Sequence, residues 1–153
     1  MARRPLTALA AALALTVTLG GCNAMREQTS GTPRNEDDVP VTRAVKEAVL
    51  AALPDAVDTH STHHLDGFAL QLTVTVVWPA ETALDAAAVR AGAIAICENL
   101  EGFDLVRYGF HRDPDGRFDL ETLWPEAFPD AADAVRDTDV RIWEDDCAAL
   151  LAA

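Results

Sequence analysis

Phe68-Ala-Leu-Gln-Leu-Thr-Val-Thr-Val-Val-Trp78 decides the fold. Phe68, Leu70, Leu72, Val74, Val76 and Trp78 alternate with Ala69, Gln71, Thr73 and Thr75. Successive side chains of a β-strand point to opposite faces. The first set therefore predicts a buried face and the second a polar one. A sheet built from such strands is covered by helices on the apolar side only. Pro79 ends the strand, because it has no N–H to give to a ladder.

Working outward, helical spacing flanks this strand on both sides. Val45, Val49, Ala52 and Leu53 recur on one face, opposite Lys46 and Glu47, until Pro54 stops the helix. Thr82 and Asp85 make a start like a capping box, with Asp where Glu or Gln is usual. Ala86, Val89, Ala93, Ile96, Cys97 and Leu100 then share one stripe, and Gly102 is a fitting stop. Residues 104–112 and 117–124 predict a β-hairpin, with Val106, Tyr108 and Phe110 alternating on one arm and Phe118, Leu120 and Trp124 on the other. Asp113-Pro114-Asp115-Gly116 between them suits a type I turn. Val140, Trp143, Cys147 and Leu150 predict a last helix from Asp139 to about Leu151. Residues 55–67 read as a polar loop.

The predicted order is α-β-α-β-β-α. It describes an α+β fold: a two-layer α/β sandwich in which a small sheet carries its helices on one face. Thr73, Thr75, Arg107, Arg117, Asp119 and Glu121 are expected on the other, open face. A crossover helix between the strands at 68–78 and 104–112 makes them parallel. Trp78, Trp124 and Trp143 fall on apolar stripes and are expected in the core.

The N-terminus carries an address. Arg3 and Arg4 precede an uncharged run from Leu6 to Leu19, about 14 residues, the length of a secretory apolar segment. A membrane span needs roughly 20, and Asn23, Arg26 and Glu27 follow at once. The run closes on Leu19-Gly20-Gly21-Cys22. This tetrapeptide resembles the lipobox of bacterial lipoproteins, and the resemblance covers residues 1–22 alone. It implies that 1–21 is a removable signal peptide and that the Cys22 thiol takes a diacylglycerol. Cleavage then leaves Cys22 as an N-terminus carrying acyl chains of the palmitate type. Two such chains, at about 0.8 kcal/mol per buried methylene, anchor stably where one does not. The implied location is the extracytoplasmic face of the cell membrane. Residues 22–40 read as a flexible polar tether that holds the body roughly 20–25 Å from the surface. Residues 41–153 read as a single domain. Lys46 is the only lysine amid abundant Arg and Ala, a bias resembling GC-rich, actinobacterial-type genomes.

Charge and cysteine count agree with that address. The chain has 25 acidic against 12 basic residues, a net charge of −13. Loss of Arg3 and Arg4 with the signal peptide takes it to about −15. Such a charge repels phosphates and anionic headgroups, which excludes nucleic acid as a partner. The membrane is then met through the N-terminal lipid, and a further partner is expected among envelope proteins. Three cysteines are an odd number in an oxidising compartment. With Cys22 lipidated, Cys97 and Cys147 remain as an even pair, expected as a disulfide. Closing that loop of about 50 residues contributes roughly 4 kcal/mol in the chain-entropy model.

Candidate chemistry is sparse. His60, His63, His64 and Asp66 offer imidazole and carboxylate donors suited to zinc or copper, with His111 as a further ligand if the fold brings it near. A calcium loop aligned on Gly116 puts His111 first and Thr122 twelfth, where Asp and a bidentate Glu are required, so a tight turn is the better reading. Ser61 beside His60 or His63 forms a nominal nucleophile and base, with no oxyanion hole or strand-turn-helix setting. Glu36-Asp37-Asp38 and Glu144-Asp145-Asp146 read as solvated clusters. No catalytic motif and no cofactor is implied. The expectation is a non-catalytic binding or scaffolding lipoprotein, acting through the open sheet face or the histidine stretch. The alternative is a metal-binding or metal-delivery lipoprotein using His60, His63, His64 and Asp66.

Overall fold

The structure, a computed structural model, describes residues 31–112, 116–136 and 138–153. The expected signal peptide, Cys22 and residues 23–30 of the expected tether lie outside the described residues, as does Asp113-Pro114-Asp115 of the expected turn. Thr32–Ala153 form one compact unit. Its elements are α1 (Val41–Ala52), β1 (Asp58–Asp66), β2 (Ala69–Trp78), α2 (Ala86–Cys97), β3 (Leu105–Arg112) and β4 (Gly116–Arg117), then α3 (Leu123–Ala127), a 3₁₀ segment (Pro129–Ala134), β5 (Val135–Arg136), β6 (Asp139–Trp143) and α4 (Glu144–Ala152).

The fold is α+β, with one mixed sheet in the order β1-β2-β3-β6-β5. The β2-α2-β3 unit makes β2 and β3 parallel, as its crossover requires. Every other pairing is antiparallel. The second edge of β3 is shared: β6 takes Leu105–Tyr108 and β4 takes His111–Arg112.

Register explains the core. Leu72 lies beside Val106 and Ile142, Val74 beside Tyr108 and Val140, and Val76 beside Phe110. All of these are buried. Val41, Val45 and Val49 of α1 and Val89, Ala93 and Ile96 of α2 join the same cluster. Each fully buried Val, Leu, Ile or Phe side chain contributes about 1.5–3 kcal/mol. Asp85 caps α2 by accepting a hydrogen bond from the Ala88 amide at 2.8 Å. Gly92 interrupts the α2 stripe for a packing reason: an added Cβ would lie 2.1 Å from the Tyr108 hydroxyl oxygen. In that notch the hydroxyl donates to the Val89 carbonyl at 3.3 Å. The Cys97–Cys147 disulfide is formed, with Cα atoms 5.2 Å apart, and ties α4 to α2.

Four expectations need correction. Residues 58–66 are a strand and not a loop: β1 pairs with β2 throughout its length. A two-residue hairpin joins them, with positive φ at Gly67 only, as a type II′ turn requires. Phe68 therefore sits in the turn, fully exposed, and does not start the buried face. The second arm of the later hairpin is only Gly116–Arg117, since the chain turns into α3. Residues 139–143 are a strand, because Val140 and Ile142 complete the core rows beside Tyr108 and Val106. Trp143 consequently points to the open face and is 50 % exposed, whereas Trp78 and Trp124 are core residues. Finally, the compact unit begins at Thr32 and not at Val41. Pro33 O accepts from the Val41 amide at 2.8 Å, and Asn35 Oδ1 accepts from the Val39 amide at 2.9 Å, so 32–40 is folded back locally.

Candidate functional site

The helices join the core on one side of the sheet, and the other face is defined by the complementary residues of the same registers. Four rows cross it. Asp58, Val77, His111 and Arg117 form the first; His60, Thr75 and Gly109 the second. Thr62, Thr73, Arg107 and Arg141 form the third; His64, Gln71, Leu105 and Trp143 the fourth. The expected polar face is therefore present at Thr73, Thr75, Arg107 and Arg117. Asp119 and Glu121 lie beyond β4, outside the sheet.

Asp139 is the centre of this face. It is only 8 % exposed and carries two arginines. Arg107 Nη2 donates to Oδ2, and Arg117 Nη1 lies 3.0 Å from Oδ2 and 3.2 Å from Oδ1. Gly109 makes room for it, since a Cβ there would stand 2.7 Å from Asp139 Oδ1. Arg141 lies opposite Arg107 in register and is exposed. Like charges directly opposite on one sheet face destabilise it. One carboxylate thus pairs with two guanidinium groups, and Arg107 Nε is buried with no hydrogen-bond partner among the described residues. Arg141 itself lines a pocket with Asp130, Asp133 and Asp146. Arg141 and Asp139 were not read from the sequence as open-face residues, because residues 139–151 carried a helical spacing.

The candidate metal ligands are distributed along β1, and the pleat divides them. His60, His64 and Asp66 share the open face, while His63 points to the helix side with Thr59 and Ser61. His60 and His64 are four residues apart, roughly 13 Å along a strand. His63 has the Phe103 ring edge-on at 6.0 Å and Thr32 Oγ1 at 3.5 Å from Nε2. His64 Nε2 is 3.5 Å from Gln71 Nε2. His111 lies on the same face two strands away, roughly 10 Å at normal spacing. Among the described residues no group of three or more His, Cys, Asp or Glu converges on a point that would hold a metal ion. The four-residue cluster expected in a loop is thus not assembled within one chain, because a strand cannot turn successive side chains toward one centre.

The other candidates resolve similarly. The Ser61 hydroxyl is buried with no partner among the described residues, and neither His60 nor His63 bonds to it. Lys46 Nζ lies 2.7 Å from Asp58 Oδ1, and this pair, then the Thr59 amide, holds the Asp58 carboxyl below its usual range. Glu144, Asp145 and Asp146 form the first turn of α4, where carboxylates meet the positive end of the helix dipole. Asp146 Oδ2 accepts from the Trp143 amide at 3.2 Å. The acidic cluster thus has a structural role.

No family model, no curated protein and no solved structure matches this chain.

Proposed function

We propose that this protein is a lipid-anchored, extracytoplasmic binding module without a catalytic role, held by Cys22 and meeting an envelope protein through the open face of its sheet. The observation that carries the reading is that Arg107, Arg117 and Arg141 share one sheet face, Arg107 and Arg117 paired with Asp139 and Arg141 exposed opposite Arg107, in a chain of net charge −13. The repulsion between Arg107 and Arg141 is relieved when an acidic surface is laid across them. Arginine suits that task, because its planar fork binds carboxylates in pairs of hydrogen bonds. Beyond about 8 Å charges are screened at physiological ionic strength. A docked partner therefore feels the arginines more than the net charge of the body.

One observation supports the anchor. The Cys97–Cys147 disulfide uses the even pair and fits an oxidising compartment, leaving Cys22 for the lipid. The test has two arms. Cys22→Ala is expected to move the protein from the membrane to the soluble fraction; continued membrane retention refutes the anchor. In cross-linking on intact envelopes, Arg141→Glu is expected to lose at least tenfold of a partner that Arg43→Glu retains, Arg43 being on α1. Equal recovery with both variants refutes the open-face surface.

A further inference from the structure

β1 is an edge strand nine residues long, and no described strand lies on its far side. Edge strands usually carry a proline, a lysine or a bulge that blocks pairing with another chain. β1 has neither proline nor lysine, and its nine residues pair with β2 without a bulge. A two-residue hairpin closes on a hydrogen-bonded pair, here Asp66 with Ala69. That phase turns the backbone groups of Ser61, His63 and Leu65 outward to solvent, while Thr59, in the same phase, is fully buried. The Thr59 amide is already capped by Asp58 Oδ1 at 2.7 Å. Beyond it, a groove lined by Thr42, Arg43 and Lys46 of α1 runs along Ser61 and Thr62.

The open-face residues of β1 read Asp58, His60, Thr62, His64, Asp66, the same in both directions. A second copy of this strand, laid antiparallel about Thr62, therefore sets like against like. His60 comes opposite the partner's His64, and Asp58 opposite the partner's Asp66. These are non-hydrogen-bonded positions of the new seam, where Cα atoms are about 4.5 Å apart and side chains are closest. Two imidazoles there reach one ion at the usual zinc–nitrogen distance of roughly 2.0–2.1 Å. The partner's Asp66 supplies a carboxylate from the next row, Asp58 being held by Lys46.

The same register satisfies the helix side of the strand. It sets the partner's His63 opposite Ser61, whose buried hydroxyl has no partner within the described chain. It also brings Leu65, 50 % exposed, diagonally against the partner's Val57, 67 % exposed in the free chain.

We propose that β1 is the seam of a metal-gated dimer, in which a divalent ion of the zinc class bridges His60 of one copy and His64 of the other at two symmetric sites. The cation is the gate. Without it, Asp58 faces the partner's Asp66, and two strongly acidic bodies repel each other. The seam is separate from the arginine surface, so loss of envelope capture by Arg141→Glu leaves it untouched.

Light scattering on the full chain, in an excess of detergent micelles with zinc or a chelator, tests this. The protein mass is expected to double with zinc and return with chelator. His60→Ala and His64→Ala each lose the doubling, whereas His111→Ala keeps it. Mixing the His60→Ala and His64→Ala proteins restores a zinc-dependent dimer, because one of its two sites retains both imidazoles. That rescue also shows both variants are folded. A chain that stays monomeric at every zinc concentration, a doubling that survives the single variants, or a mixture that fails to dimerise overturns the proposal.

Discussion

β1 and β2 run together through nine registered pairs, from Asp58 with Val77 to Asp66 with Ala69. Yet β2 buries Leu72, Val74, Val76 and Trp78, while β1 buries only Thr59. The backbone ladder is the same for both. What differs is position: β2 is an inner strand whose apolar row is buried in the core, and β1 is an edge strand that meets α1 around Thr59 and Asp58. An inner strand must alternate apolar and polar side chains. An edge strand is released from that demand, and Thr-His-Ser-Thr-His-His can serve other ends.

The contrast is open to measurement. The largest effect is expected at Leu72, where truncation to Ala leaves a cavity under a fully covered row. Urea unfolding should show a loss of about 3 kcal/mol, and a loss below about 1 kcal/mol would remove β2 from the core. An intermediate effect belongs to Tyr108, beside Val74 in the same layer. Burial pushes its phenol well above the ordinary value of 10.0. The unfolded chain therefore ionises first as pH rises. Its contribution to stability is full below pH 10 and is lost above it, by at most about 1.4 kcal/mol per pH unit. Since the chain has a single tyrosine, phenolate absorbance reports the event directly; titration near 10 in the folded protein sinks this reading. The smallest effect is expected at Thr62, the exposed midpoint of β1. In chelator, Thr62→Ala should change stability by no more than about 0.5 kcal/mol. A loss matching that of Leu72→Ala would abolish the distinction between the two strands.

The same distinction sets how much was legible beforehand. The β2 alternation, the Asp85 cap and stripe of α2, and the parallel β3 were readable because each is a local pattern tied to a buried face. β1 was missed because its side chains have no apolar alternation. Its one local signal is Gly67, placed for a type II′ hairpin. β6 is hidden for a different reason: Val140, Trp143, Cys147 and Leu150 fit a helix, and the competing pair Val140 and Ile142 is too short to outvote them. Only the vacant edge of β3 beside Val106 and Tyr108 decides between the two. The open-face cluster suffered with it, since Asp139 and Arg141 enter that face only once β6 is a strand.

By itself, the sequence determined the α+β class, the central pair of strands with their crossover helix, and the pairing of Cys97 with Cys147. Apolar periodicity reports burial, and cysteine parity reports what is left to bond. Tertiary structure alone decided that the histidines are spaced along an edge and that Arg107 and Arg117 meet on Asp139. Both depend on which strand lies beside which, and strand adjacency is set by contacts between residues far apart in the chain.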